Sequence, residues 1–330
     1  MAFRLLSTTL TLLLVWNRVA LAQEAESDIR SIQLRTHSLA PPYVENDLEN
    51  RWFDYGGDVV VRVDQYIRLA SQQPSQAGWL WSRVPLTASN WEIEVEFKIH
   101  GTGNLHGDGM AMWVTKESRA KGSVFGFKDQ FEGLGVFFDT YKNNRPGTVF
   151  PYVMAMLGDG KTSYDKANDG KANELAGCSA RGIRNADLPT RARITYFAEK
   201  ELTVELMYKK EDEWSPCFKI SDIKLPSVTY LGFTAETGEL SDNFDIISVN
   251  TKNLYSPSGK TGTTRSTGSA GGSSLYSRSK GQKDVKDRVG RPEKGGGVLS
   301  ILSKIGLFLV VVIVAYVLFT IYRSRKRNSF

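Results

Sequence analysis

The stretch Trp91–Ile99 constrains the fold more than any other. Trp91, Ile93, Val95, Phe97 and Ile99 alternate with Glu92, Glu94, Glu96 and Lys98. Successive side chains of a strand point to opposite faces, so this period of two predicts a half-buried antiparallel strand with one face on a core. Further segments of strand character follow one another along the chain: Val59–Val63, Tyr66–Leu69, Met110–Thr115, Leu134–Asp139, Tyr152–Met156, Ala192–Phe197, Leu202–Tyr208, Tyr230–Ala235 and Ile246–Val249. No strong amphipathic helix interrupts them between His37 and Thr251. Many short strands in series predict an all-β fold, a sandwich of two antiparallel sheets.

The ends of the 330-residue chain read differently. Residues 1–22 carry Arg4, an apolar run Leu10–Trp16 and Ala20-Leu21-Ala22, the pattern of a cleaved secretory signal peptide. Residues 23–36 are polar and are expected to form a flexible N-terminus. Residues 255–303 are rich in Ser, Gly, Thr, Lys and Arg, which predicts a flexible stalk rather than a domain. Within residues 304–322, Ile305–Tyr322 is uncharged and long enough for one C-terminal transmembrane helix. A basic tail, 323–330, follows with Arg325, Lys326, Arg327 and Phe330. The stalk is basic too, which alone argues against a luminal stalk, but a cleaved signal fixes a type I topology with the domain at 37–254 in the lumen.

The net charge of +6 conceals a division. Residues 23–254 hold 26 Lys and Arg against 33 Asp and Glu, whereas 255–330 hold 14 against 3. An acidic globular part gives no electrostatic support for nucleic-acid binding. The basic end suits anionic lipid head groups or coat proteins. The two cysteines, Cys178 and Cys217, are expected to form one disulfide in an oxidising lumen.

Signs of catalysis are weak. His37, His100 and His106 have no metal-ligand spacing, and neither a G-x-S-x-G elbow nor a phosphate loop is present. Glu92, Glu94 and Glu96 share a strand face that reads as solvated rather than as a glycosidase pair. The expectation is a protein that is not an enzyme.

The apolar run Leu134–Phe138 ends in Asp139-Thr140-Tyr141-Lys142-Asn143. Oxygen donors where a strand turns suit Ca²⁺, a hard cation that takes 6–8 oxygens. The same arrangement is also common turn chemistry. Other segments decide between these readings. They are Asn104–Trp113, Gly133–Tyr141, Val149–Tyr152, Ser163-Tyr164-Asp165, Glu174–Cys178 and Gly238–Asn243. In this order they closely resemble the L-type (leguminous-type) lectin cargo receptors of the early secretory pathway, and most closely the vesicular integral-membrane mannose-binding branch.

The resemblance implies a legume-lectin-like jelly roll that binds high-mannose N-glycans with Ca²⁺ and escorts cargo glycoproteins through ER, ER–Golgi intermediate and Golgi membranes. It implies metal ligands Asp139, Tyr141 (through its carbonyl), Asn143 and Asp169. It implies a carbohydrate site of Asp108, Asn143, the backbone at Gly238, Glu239 and Leu240, and Ser75. The basic tail would then bind vesicle coat proteins. Lys166 stands where the family usually carries a sugar-contacting histidine. An ammonium donates hydrogen bonds but accepts none. Lys166 therefore leaves a second reading open, a lectin-fold adaptor that recognises protein surface and has lost sugar binding.

Overall fold

The computed structural model describes residues 29–255. The expected signal peptide, residues 23–28 of the expected flexible N-terminus, the expected stalk beyond Tyr255, the expected transmembrane helix and the expected tail with Arg325, Lys326, Arg327 and Phe330 lie outside the described residues. Among the described residues no helix is long and apolar enough to cross a membrane. Sixteen strands are present in chain order. They are β1 (Arg30–Gln33), β2 (Phe53–Gly57), β3 (Val60–Arg62), β4 (Tyr66–Ala70), β5 (Ala77–Ser82), β6 (Asn90–His100), β7 (Gly109–Thr115) and β8 (Lys121–Val124). There follow β9 (Glu132–Asp139), β10 (Tyr152–Asp159), β11 (Ala176–Ser179), β12 (Thr190–Phe197), β13 (Glu201–Met207), β14 (Ser215–Ser221), β15 (Tyr230–Glu236) and β16 (Asn243–Tyr255).

Fifteen of them build two antiparallel sheets, and β8 lies outside both. The eight-stranded sheet runs β14-β13-β12-β6-β16-β4-β3, with β1 paired to one end of β16. The seven-stranded sheet runs β11-β10-β9-β7-β15-β5-β2. The alternation of β6 is realised as expected: Trp91, Ile93, Val95, Phe97 and Ile99 are buried between the sheets. On its outer face Glu92 pairs with Lys252, Glu94 with Arg193 and Glu96 with Arg191. Those glutamates are therefore cross-strand partners on a solvent-facing surface.

The seven-stranded sheet obeys a different rule. Every residue of β7 is buried, and all but the first of β9. One face meets the eight-stranded sheet through Met110, Met112, Val114, Leu134, Val136 and Phe138. The other carries a second, largely aromatic core of Trp81, Trp113 and Phe137 beneath Phe125, Phe127, Phe131 and Tyr164 from the covering loops. Trp113 lies 4.8 Å from Phe127, 4.9 Å from Phe131 and 5.3 Å from Phe137 between ring centroids, in the tilted and edge-on arrangements that aromatic quadrupoles prefer. Its indole N–H donates to Thr234 Oγ1 at 2.8 Å, so burial leaves no unpaired donor there. Strands covered on both faces lose their alternation and become continuous apolar runs, as Leu134–Phe138 does.

One expectation needs correction. Arg30–Gln33 belongs to the stretch expected to be flexible, yet it forms β1, pairing Arg30 with Tyr255 and Gln33 with Lys252. All four residues are exposed, so the backbone ladder and one Gln33 Nε2–H donation to Asn250 Oδ1 at 3.2 Å hold them, and no hydrophobic period announces them.

Cys178 and Cys217 form the expected disulfide. Cys178 lies on β11 and Cys217 on β14, edge strands of opposite sheets, so the bond staples the sandwich along one side. A bulge in β14 opposite Val204 and Glu205 leaves Cys217 outside the ladder register and free to turn toward β11. At the other side His37 is 4% exposed, its Nε2–H donating to the Val84 carbonyl at 3.1 Å. Burial lowers its pKa.

Two outcomes follow. Replacing both cysteines by serine is expected to lower stability by about 3–4 kcal/mol, the loop-closure value for this spacing, as measured by denaturant unfolding. Wild-type stability would mean that sheet packing alone holds this side. The folded imidazole resists protonation more than the unfolded one. Its contribution is complete above about pH 6.5 and is lost as pH falls through the folded value. Melting temperature should therefore fall less steeply between about pH 7 and 5 in His37→Gln than in wild type. Parallel curves would remove His37 from this role.

Candidate functional site

Strand pairing gathers the site before any side chain is considered. Gly109 is the register partner of both Asp139 on β9 and Glu236 on β15. Asp108, which precedes β7, thus shares one rim of the seven-stranded sheet with Asp139 and Glu236. The Gly107–Asp108 peptide is cis. The Asp108 N–H donates to the Glu236 carbonyl at 3.2 Å, and the Asp108 carbonyl accepts from Thr140 N–H and Oγ1, both at 3.0 Å. With its backbone fastened on both sides, Asp108 has its carboxylate left for the pocket.

The loop after β9 is tied to a second loop. Asp139 Oδ1 accepts from Tyr141 N–H at 3.0 Å. The Asn143 N–H donates to both Asp169 carboxylate oxygens at 3.1 Å, and its Nδ2 donates to Oδ1 at 2.7 Å. This leaves the Asn143 side-chain oxygen and one amide hydrogen unspent. Asp169 closes the short 3-10 helix Lys166–Asn168 in the left-handed region, at φ 51°, a conformation that aspartate tolerates better than most residues. Beneath it lies buried Arg145, which donates to the Asp169 carbonyl at 3.1 Å and pairs with Glu174. Its guanidinium stacks over the Tyr152 ring at 4.4 Å, and the Tyr152 hydroxyl donates to the same Glu174 at 2.8 Å.

The electrostatics are unbalanced. Asp139 and Asp169 are 5% and 2% exposed. Burial first, and then the charge of Asp169, push the Asp139 carboxyl well above the usual range, and Arg145 only partly opposes this. Arg145 is already committed to Glu174 and a carbonyl. A divalent cation between the two carboxylates would relieve both the repulsion and the desolvation. The available donors are Asp139, Asp169, the Asn143 amide oxygen and the Tyr141 carbonyl, an all-oxygen set that suits Ca²⁺ with water completing the shell. The residues present therefore fit the metal that the sequence leads one to expect.

Next to this loop lies a pocket lined by Asp108, Asp139, Tyr141, Asn143 and Lys166, which the sequence pointed to. Ser123, Phe125, Tyr164 and Glu236 also line it, and these it did not. Phe125 and Tyr164 belong to the aromatic core as well, so the edge of that core is the pocket wall. Lys166 Nζ donates to the Ser123 carbonyl at 3.3 Å and faces Glu236 Oε1 at 3.5 Å. Burial raises the pKa of Asp108 and of Glu236, and Lys166 draws both back down. Gly238 closes against Asp108: a Cβ there would stand 3.4 Å from both carboxylate oxygens. The Gly238 carbonyl accepts from Ser75 N–H at 2.9 Å, so Ser75 acts on Gly238 through its backbone. Glu239 is exposed and Leu240 half-buried; both follow on the same loop, outside the pocket lining.

Arg145 had no signal of its own in the sequence, following as it does two asparagines in a loop. Its geometry makes it the support of Asp169. Arg145→Met is expected to weaken calcium binding by about 10–100-fold, the usual effect of removing a group that orients a metal ligand, while the chain still folds. Calcium titration followed by melting temperature measures this, and unchanged affinity would reject the role.

Residues 30–261 match the model of the legume-like lectin family. An L-type lectin-like domain-containing protein of Schizosaccharomyces pombe is 35% identical over 281 residues, 84% of this chain and 86% of its own length. Vesicular integral-membrane protein VIP36 of Homo sapiens is 43% identical over 220 residues, 65% of this chain. The match spans 61% of VIP36, about three fifths of that relative's length. The crystal structure of the VIP36 exoplasmic/lumenal domain in its Ca²⁺/Man2-bound form superposes with a TM-score of 0.64 at 41% identity, covering 67% of this chain and 89% of that one. The Emp47p carbohydrate recognition domain, at 20% identity and a TM-score of 0.56 over 67% of this chain and 96% of that one, shares the fold. The chain belongs to the legume-like lectin family.

Proposed function

We propose that this chain is a Ca²⁺-dependent lectin for high-mannose N-glycans, carried on a type I membrane anchor and serving as a cargo receptor between ER and Golgi. The observation that carries the reading is the meeting of two half-sites. A buried carboxylate pair able to hold Ca²⁺ stands beside a half-buried carboxylate, Asp108, whose backbone is fixed and whose oxygens face a pocket. The VIP36 domain is a Ca²⁺/Man2-bound structure, which supports the same ligands here.

The chemistry divides among named residues. Asp139, Asp169, Asn143 and the Tyr141 carbonyl would hold the metal, which when bound fixes the loop around Asn143. Asp108 accepts hydrogen bonds from adjacent sugar hydroxyls, and the remaining Asn143 amide hydrogen donates one. The backbone at Gly238, Glu239 and Leu240 borders the sugar, with Ser75 holding Gly238. Phe125 and Tyr164 give the pocket an apolar wall. Residues 255–303 would be the stalk, 304–322 the span and 323–330 a tail engaging coat proteins through Arg325, Lys326, Arg327 and Phe330. Single sugar sites are weak, and clustering on a membrane multiplies them by avidity.

The test is binding of a high-mannose glycopeptide to the full chain in detergent, with Ca²⁺ and again with chelator. Binding should appear only with Ca²⁺ and fall by about 100-fold or more in Asp108→Ala and in Asn143→Ala, since each leaves a buried polar partner unmet. Calcium at 100 times its dissociation constant should add about 2.7 kcal/mol of stability. A calcium-dependent rise in melting temperature without glycan binding would instead favour the adaptor that recognises protein surface.

A further inference from the structure

Glu236 is the residue of this pocket that the lectin chemistry above leaves without a task. Strand alternation sends Phe233 and Ala235 into the core between the sheets, and Thr234 and Glu236 to the opposite face of β15, the one that carries the aromatic core and the pocket. Glu236 is thus a charge where the aromatic core meets the polar rim of the pocket. Its Oε2 accepts from Gly126 N–H at 3.2 Å, and its Oε1 faces Lys166 Nζ at 3.5 Å. Lys166 is held from its other side by the Ser123 carbonyl at 3.3 Å. Asp108 stands in the same pocket, near enough for the ammonium to stabilise its carboxylate. One ammonium is therefore shared between two carboxylates, and only one of them is needed free.

We infer that Glu236 is a specificity-determining residue: it holds the Lys166 ammonium away from Asp108 and so keeps the Asp108 oxygens available to sugar hydroxyls. The inference rests on the lectin reading. A lysine without Glu236 turns to Asp108, the remaining carboxylate of that pocket side, and an ion pair there occupies the acceptors that adjacent hydroxyls require. The Lys166–Glu236 pair is then a means of tolerating a lysine at the mouth of a mannose site. It favours neutral polyhydroxyl ligands, because an anionic sugar meets Asp108 and Glu236 together.

Glu236→Gln tests the charge without the scaffold, since the amide oxygen can still accept from Gly126 N–H. In saturating Ca²⁺, titration of a high-mannose glycopeptide into the full chain should show binding weakened about tenfold in Glu236→Gln. The double variant Glu236→Gln/Lys166→Met should return to within about threefold of wild type. A merely structural Glu236 would leave the single and double variants equally weak, and that result overturns the inference, as does wild-type binding by Glu236→Gln. Should Glu236→Gln lose the calcium-dependent rise in melting temperature, Glu236→Asp, which keeps the charge, decides alone. Binding within about threefold of wild type supports the inference, and a loss of about tenfold or more overturns it. Wild-type chain that gains stability with Ca²⁺ but binds no glycopeptide sinks the lectin reading and this inference with it. Wild-type binding with the variant pattern absent sinks the inference alone.

Discussion

Two-sided burial of the seven-stranded sheet is the constraint on which everything else depends. A sandwich needs each sheet covered on one face only, and the eight-stranded sheet follows that rule with a charged outer surface. The seven-stranded sheet does not. With Trp81, Trp113 and Phe137 on its second face, it requires a lid of Phe125, Phe127, Phe131 and Tyr164. Aromatic side chains bury 150–250 Å² each, so leaving that face wet would cost many kcal/mol. The loops that supply the lid therefore fold back over the sheet. They bring Ser123 and Lys166 to the rim where the register of β7, β9 and β15 has already placed Asp108, Asp139 and Glu236. The site is a by-product of closing the second core.

That rim concentrates negative charge in a poorly solvated place. The chain handles the excess in three ways. Arg145, braced by Glu174 and stacked on Tyr152, lies under Asp169 and holds its carbonyl. Lys166 attends to Asp108 and Glu236. The pair Asp139 and Asp169 would be balanced by the proposed divalent cation, whose charge exceeds what a further side chain could bring. Arg145 and the proposed cation both act at Asp169, whereas Lys166 acts at Asp108 and Glu236, so binding of metal and presentation of Asp108 are separable parts of one pocket.

How much of this was legible in the sequence depends on whether a residue answers to its neighbours along the chain or across space. The strand β6 was legible because its alternation is a local consequence of one dry and one wet face. The run Leu134–Phe138 followed by Asp139 and Asn143 was legible for the converse reason. The disulfide was legible because only two cysteines were available, although the bulge that aims Cys217 was not. β1 was invisible because its four residues are exposed and its ladder is sequence-blind. The short strands β2, β5, β11 and β14 carry Gly or Pro, which weakens any period. Arg145 and Glu236 were missed because their meaning lies in partners far along the chain: Asp169 and Glu174 for one, Lys166 and Gly126 for the other. Asp108, Asn143 and Asp169 were found through resemblance, and the structure supplies the physical reason that they belong together.

The lysine at position 166 reads differently in the sequence and in space. In the sequence it is a donor where the family is expected to carry a ring that can also accept, which left open the second reading of an adaptor that has lost sugar binding. In space it is half of a pair, and Glu236 is a charge with no reason to sit beside buried Asp108 unless a cation accompanies it. Two like carboxylates in one half-buried pocket repel, and both are disfavoured by desolvation. The ammonium lowers that penalty for each, so Lys166 and Glu236 make sense only as a pair. Loss of sugar binding would release the constraint on Asp108, and there would be no need to keep its backbone fastened by Thr140 on one side and Glu236 on the other. Asp108 is held in place with its oxygens facing the pocket, which is the arrangement that the proposed sugar site requires.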